Sequence, residues 1–144
     1  MNIYFAGSIR GGRTNAPVYR AMVEYLSSFG RVFTEHVGDV SLSDAGEDGP
    51  NDRFIYERDM AWLTASDCLV AEVSLASLGV GYEVGYAVAL GIPVLCLYRP
   101  QSDRRLSAMI AGSPHVTNHE YLSLDDAKEA IASFLEEKHP AASK

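Results

Sequence analysis

Along this chain the apolar positions switch repeatedly between short continuous runs and helical spacing, and that alternation predicts the elements in order. Asn2–Ala6 reads as a strand, followed by a glycine-rich loop over Gly7–Thr14. Asn15–Phe29 reads as a helix. Val18, Met22, Leu26 and Phe29 keep step, Pro17 falls in the first turn and Gly30 stops it. Arg31–Thr34 gives a short strand and His36–Pro50 a long acidic loop. A second helix is expected over 52–63, with Asn51 or Asp52 as its cap. Cys68–Val73 is a third strand, Val80–Leu90 a third helix ended by Gly91, and Pro93–Tyr98 a fourth strand. A short helix at Arg104–Ile110, a weak strand near Val116–Tyr121 and an amphipathic helix at Leu124–Glu137 follow, with 139–144 expected to fray.

Strands alternating with helices imply an α/β fold: a doubly wound, flavodoxin- or Rossmann-like parallel sheet of about five strands with helices on both faces. Runs such as Pro93-Val94-Leu95-Cys96-Leu97 suit strands covered on both sides. Ligands of such sheets bind beyond the strand C-terminal ends at the topological switch point, here expected between the first and third strands. Those ends carry Gly7-Ser8 and the stretch from Ser74 to Glu83. One catalytic domain over 1–138 accounts for the length.

The 47% hydrophobic and 22% charged content suits a globular chain, and no apolar run reaches the roughly 18 residues of a membrane span. The start Met1-Asn2-Ile3-Tyr4-Phe5 lacks a signal-peptide pattern. Cys68 and Cys96 both fall in apolar runs and read as reduced core residues. A cytoplasmic location is expected, with the nucleus as a second compartment. A net charge of −7 argues against nucleic acid as the main partner. Charge is uneven, however. Residues 1–34 hold four arginines against Glu24, whereas 35–59 hold eight acids against Arg53 and Arg58.

Two carboxylates break an apolar pattern. Glu83 lies three residues after Val80 and four before Ala87, close to the inward stripe of its helix and to that helix's N-terminus. Asp59 shares a face with Ile55, Trp62 and Leu63. Each reads either as a structural ion pair or as a working group, since a carboxylate among apolar neighbours needs a partner. Two inward carboxylates at one crevice suit glycosidic chemistry, and a separation of about 5–5.5 Å would suit the retaining, covalent route. The loop Gly7-Ser8-Ile9-Arg10-Gly11-Gly12-Arg13 has the small residues, hydroxyl, amides and guanidiniums of a phosphate cradle, without a Walker Gly-Lys-Ser/Thr. Glycines 79, 81 and 85 would let a ligand approach the backbone. Ser77 would bind the same anion or cap the helix. Tyr4 is either core or turned toward the crevice. His115 and His119 lie four apart but beside Pro114 in a strand-like context, which argues against a metal pair. His36 reads as a loop histidine.

Taken together, Tyr4-Phe5-Ala6-Gly7-Ser8-Ile9-Arg10-Gly11-Gly12-Arg13, Thr34-Glu35-His36-Val37, Glu57-Arg58-Asp59-Met60-Ala61-Trp62-Leu63, Ala71-Glu72-Val73, Ser77-Leu78-Gly79-Val80-Gly81-Tyr82-Glu83, Arg99-Pro100-Gln101-Ser102 and Leu106-Ser107-Ala108-Met109-Ile110 resemble the 2′-deoxynucleoside 5′-monophosphate N-glycosidases, within the nucleoside 2-deoxyribosyltransferase group. The resemblance spans roughly residues 2–110. It implies hydrolysis to a free base and 2-deoxyribose 5-phosphate without metal or organic cofactor. Glu83 would be the nucleophile, Asp59 the partner carboxylate and Tyr4 the group that positions Glu83. Gly7, Ser8, Ile9, Arg10, Ser77 and Gly79 would bind the substrate. Ser107 and Met109 would join them, with Ser107 reaching in from the second subunit of a homodimer. The alternatives are a base-exchanging deoxyribosyltransferase, or a nucleotide-binding module without turnover.

Overall fold

The computed structural model describes residues 1–9, 15–34 and 49–140. Its elements are β1 (Asn2–Ala6), α1 (Ala16–Leu26), β2 (Arg31–Phe33), α2 (Asp52–Thr64), β3 (Cys68–Glu72), α3 (Leu78–Ala89), β4 (Val94–Tyr98), α4 (Ala108–Ala111), β5 (Thr117–Glu120) and α5 (Leu124–Lys138). All five strands pair in parallel, in the order β2-β1-β3-β4-β5. The chain winds outward from β1 in both directions, so the switch point lies between β1 and β3 as expected.

Successive side chains of a strand point to opposite faces, and here that alternation divides the core in two. Ile3, Phe5, Val32, Cys68, Val70, Leu95 and Leu97 pack under α1 and α5. Tyr4, Ala6, Phe33, Leu69, Ala71, Val94 and Cys96 pack under α2 and α3. The three central strands β1, β3 and β4 are therefore apolar on both faces, which explains their continuous runs. Cys68 and Cys96 are buried free thiols, and burial pushes both up to about 12.

Each helix begins where the sequence supplies a cap or a proline. Pro17 sits in the first turn of α1. Asn51, rather than Asp52, caps α2, its Oδ1 accepting from the Phe54 amide at 2.8 Å. Ser77 caps α3 and Ser123 caps α5. Helix α1 ends at Leu26, earlier than its apolar spacing predicts. The hydroxyls of Ser27 and Ser28 donate to the Val23 and Tyr25 carbonyls there, satisfying groups that a further turn would have used. Gly30 answers a close approach: a Cβ there would lie 2.3 Å from the Met1 carbonyl oxygen.

Two expectations need correction. The short helix is confined to Ala108–Ala111, because Gln101 and Arg104 bridge in a turn and the Tyr98 hydroxyl donates to the Arg104 carbonyl at 2.8 Å. Helix α2 does not bury its whole apolar stripe. Leu63 is its one buried residue, while Phe54 and Tyr56 are half exposed. Glycines 81 and 85 are helical, and a Cβ at either would meet nothing within 4 Å, so the space beside the backbone there is open. The expected frayed tail concerns mainly 141–144, which lie outside the described residues, whereas α5 runs in order to Lys138. Among the described residues no helix is long and apolar enough to cross a membrane.

Candidate functional site

Tyr4 sits at the middle of β1, opposite Phe33 on one side and Leu69 on the other. Its ring is fully buried in the layer beneath α2 and α3, yet its hydroxyl finds a polar partner by donating to Glu83 Oε1 at 3.0 Å. Tyr4 is thus a core ring whose phenol is turned toward Glu83. Glu83 reaches it from the second turn of α3, where Val80, Val84 and Ala87 anchor the helix on the sheet. The three-residue step from Val80 is what turns the carboxylate toward Tyr4.

Asp59 approaches from α2. Its Oδ1 accepts from Arg58 Nε and Nη2, both at 2.9 Å, and both side chains are largely covered. The Asp59 charge is felt at Glu83 and at Tyr4. The structure thus brings Tyr4, Asp59 and Glu83 to one place from three elements. Desolvation, reinforced by Asp59 and opposed by the Tyr4 hydrogen bond, pushes the Glu83 carboxyl up to about 8. Tyr4 is driven well above the ordinary phenol range, by desolvation first and then by the two carboxylates. It remains a donor at any working pH. Burial and the neighbouring Asp59 charge therefore both disfavour the ionised form of Glu83, against the Tyr4 hydrogen bond.

The proposed anion side lies at the strand C-terminal ends. Gly7 and Ser8 are buried just past β1, and the Ser8 amide donates to the Tyr19 hydroxyl at 3.3 Å. Ile9 packs partly against the core beneath α1. Ser77 Oγ accepts from the Val80 amide at 3.3 Å. A serine oxygen that accepts still has a proton to give, so capping and anion binding are compatible. Gly79 follows in the first turn of α3. Arg10, with Arg13 and His36, lies outside the described residues. Ser107 and Met109 are not brought to this centre within the chain. Ser107 caps the short α4 on the surface, and Met109 is 83% exposed.

Two features escaped the sequence reading. Arg58 was visible only as part of a match, although a structural partner for Asp59 was one of its readings. Glu72, fully buried at the end of β3, was hidden in an apolar run. Its Oε1 accepts from Ser74 Oγ and, at 3.0 Å, from the Tyr121 hydroxyl, while Ser74 Oγ accepts from the Arg99 amide at 2.8 Å. This chain of bonds ties the ends of β3, β4 and β5 together on the face opposite Glu83. A carboxyl inside Cys68–Val73 was the available signal. Elsewhere, His119 Nε2 lies 3.0 Å from Asp126 Oδ1, joining β5 to α5. Among the described residues no group of three or more His, Cys, Asp or Glu side chains is arranged to hold a metal ion.

Comparison with known proteins shows the family of the chain. The model of the family described as nucleoside 2-deoxyribosyltransferase matches residues 3–128. The 5-hydroxymethyl-dUMP N-hydrolase of Danio rerio is 51% identical over 138 residues, covering 95% of this chain and 94% of the relative. The protein of the same name from Mus musculus is 50% identical over 135 residues, covering 93% and 77%. A CMP N-glycosidase structure from Clostridium botulinum superposes with a TM-score of 0.67 at 13% identity, covering 94% of this chain and all of that one, a likeness of fold.

Proposed function

Since the chain belongs to the nucleoside 2-deoxyribosyltransferase family, we propose that it hydrolyses the N-glycosidic bond of 2′-deoxynucleoside 5′-monophosphates to a free base and 2-deoxyribose 5-phosphate. The observation that carries this reading is the Tyr4–Glu83 hydrogen bond with Asp59 beside it. In its ionised form Glu83 attacks the anomeric carbon, and the C–N bond breaks with its electron pair passing to the base. The resulting glycosyl-Glu83 ester is opened by water, whose hydroxyl goes to the anomeric carbon and whose proton balances the one the departing base takes up, returning the carboxylate and releasing the sugar phosphate. Asp59 is the second carboxylate at that bond. Tyr4 gives its hydrogen bond to the ionised nucleophile and keeps it aimed.

Gly7, Ser8, Ile9, Arg10, Ser77 and Gly79 form the phosphate side of the site in this reading. Binding of the non-reacting phosphate places the anomeric carbon against Glu83, so its loss lowers turnover as well as affinity. Ser107 and Met109 serve the site of a second copy in a homodimer. That assignment is supported by their exposure and by the exposed Leu78 and Tyr82 on α3. The whole of 1–138 acts as one catalytic unit, in the cytoplasm with the nucleus as a second compartment.

The test is incubation with 5-hydroxymethyl-dUMP, dGMP, GMP and deoxyguanosine in separate reactions, with free base followed by chromatography. Release from a deoxynucleoside monophosphate alone supports the reading. Equal cleavage of deoxyguanosine removes the phosphate requirement. A new nucleotide formed on adding a second free base shows transfer instead of hydrolysis.

A further inference from the structure

Arg58 and Asp59 are neighbours in sequence on a helix, and adjacent helical side chains do not ordinarily face each other. Here they converge: two guanidinium nitrogens of Arg58 meet one oxygen of Asp59, each at 2.9 Å. The reason lies along the Arg58 side of α2. Phe54 stands four residues before Arg58 and Trp62 four after, so both rings lie over the same strip of helix surface. The Arg58 guanidinium carbon is 4.6 Å from the Trp62 ring centroid and 6.0 Å from that of Phe54. Trp62 is itself stacked on Phe33 of the edge strand β2, with centroids 5.9 Å apart and planes 12° from parallel. Arg31 lies over the Phe33 ring at 4.8 Å. Arg31, Phe33, Trp62 and Arg58 thus form a continuous chain of ring and guanidinium contacts from the sheet edge to Asp59.

A planar guanidinium suits this arrangement and an ammonium does not, since only the former can lie flat on a ring while directing two N–H groups at one oxygen. Leu63 is the one fully buried residue of α2, with Met60 and Trp62 partly buried against the same layer, so the ring that carries the Arg58 guanidinium is itself held by the core.

We infer that Arg58 is a positioning residue for the glycosidic reaction, braced by Trp62 and Phe33 so that the Asp59 carboxylate is fixed in one orientation toward Glu83 and the scissile bond. The inference rests on the role proposed for Asp59. Arg58 need not touch substrate, and its effect passes through Asp59.

Steady-state kinetics on a cleaved deoxynucleoside monophosphate test this with Arg58→Met, Arg58→Lys, Trp62→Leu and Asp59→Asn. Misplacing a reacting group by about 1 Å costs on the order of 100-fold. Arg58→Met is therefore expected to lower kcat about 10- to 100-fold while KM changes less than about threefold. Arg58→Lys keeps the charge and is expected to recover only a small part of that loss, and Trp62→Leu to reproduce part of it with Arg58 intact. The deciding measurement is the double variant, in single-turnover assays with excess enzyme. In the Asp59→Asn background, Arg58→Met should cost less than about twofold, because residues that act as a unit are not additive. A full, additive loss in that background overturns the inference. So does kcat near wild type in Arg58→Met when Asp59→Asn alone is impaired. A wild-type rate in Asp59→Asn instead removes the role of Asp59 itself, and Arg58 falls with it.

Discussion

Replacing Tyr4 by Phe removes one oxygen and leaves the packing of a fully buried ring in place. That oxygen is the donor to Glu83 Oε1 at 3.0 Å, the one specific interaction that opposes desolvation at the carboxyl. A hydrogen bond to a charged group contributes about 1.5–3 kcal/mol, and one pKa unit is about 1.36 kcal/mol, so its loss moves the Glu83 carboxyl up by about one to two units. With titration near about 8, roughly a tenth of Glu83 is ionised at pH 7 in the parent protein. In the variant that fraction falls to about a hundredth or less, and kcat/KM at pH 7 falls about 10- to 100-fold. The assay is kcat/KM for a cleaved monophosphate between about pH 5 and 10.5, which reports the free enzyme. The acid limb of Tyr4→Phe should lie to the alkaline side of the parent, and the two profiles should converge above it. Parallel profiles with an unmoved limb would refute the reasoning, since Tyr4 would then act on something other than the ionisation of Glu83.

The same substitution carries a stability signature of defined sign. The folded-state pKa of Glu83 lies above its unfolded value, so the folded chain binds more protons. The associated stability is fully present below the ordinary carboxylate range and is lost as pH rises through about 8. Tyr4→Phe extends that loss to higher pH. Its deficit in thermal midpoint should therefore be small near pH 6 and larger near pH 10.

Three further outcomes follow from the same geometry. Glu83→Ala should leave the circular dichroism spectrum and compactness of the chain intact while abolishing base release, and activity near the parent level would remove Glu83 as nucleophile. Ser107→Ala should raise KM for the monophosphate. In the proposed homodimer a hybrid with Glu83→Ala would hold one site with Glu83 and an intact Ser107 opposite, so mixing the two should restore part of the parent activity; no recovery on mixing would remove the cross-subunit role of Ser107. Glu72 is raised by burial above the ordinary carboxylate range, against its bonds to Ser74 and Tyr121, so its protonated form is the one favoured by folding. Glu72→Gln keeps an acceptor for both donors without the charge and should gain thermal stability over the parent as pH rises, and a constant difference across pH would deny that titration.

The order of elements was legible because each strand-to-helix change alters the period of the apolar positions, and the glycine and proline stops fall where those periods break. What the pattern could not supply was which face each element covers. Helix α2 shows why. Its stripe of Ile55, Asp59, Trp62 and Leu63 reads as core, yet only Leu63 is buried. Trp62 is partly buried and packs against Phe33 and Arg58, an arrangement that depends on an edge strand some thirty residues earlier. The short helix before β5 was overextended for a similar reason: the bond from the Tyr98 hydroxyl to the Arg104 carbonyl holds 101–104 as a turn, and no local propensity reports it.

At the site, legibility followed the cost of the anomaly. Glu83 and Asp59 stood out because a carboxylate within an apolar stripe carries a desolvation penalty that demands a partner or a task. Tyr4 remained ambiguous because an aromatic ring with a polar tip fits a core and a crevice equally well, and the structure buries the ring while its hydroxyl donates to Glu83. Arg58 was silent for the opposite reason. An arginine on a helix surface carries no penalty, and its pairing with the next residue contradicts the spacing rules by which helical partners are sought. The aromatic rings four residues to either side lie beside its guanidinium where it meets Asp59. A site assembled from costly residues can thus be found by looking for exceptions, whereas the residues that brace it are individually ordinary and appear only when the rings, the helix and the edge strand are in place.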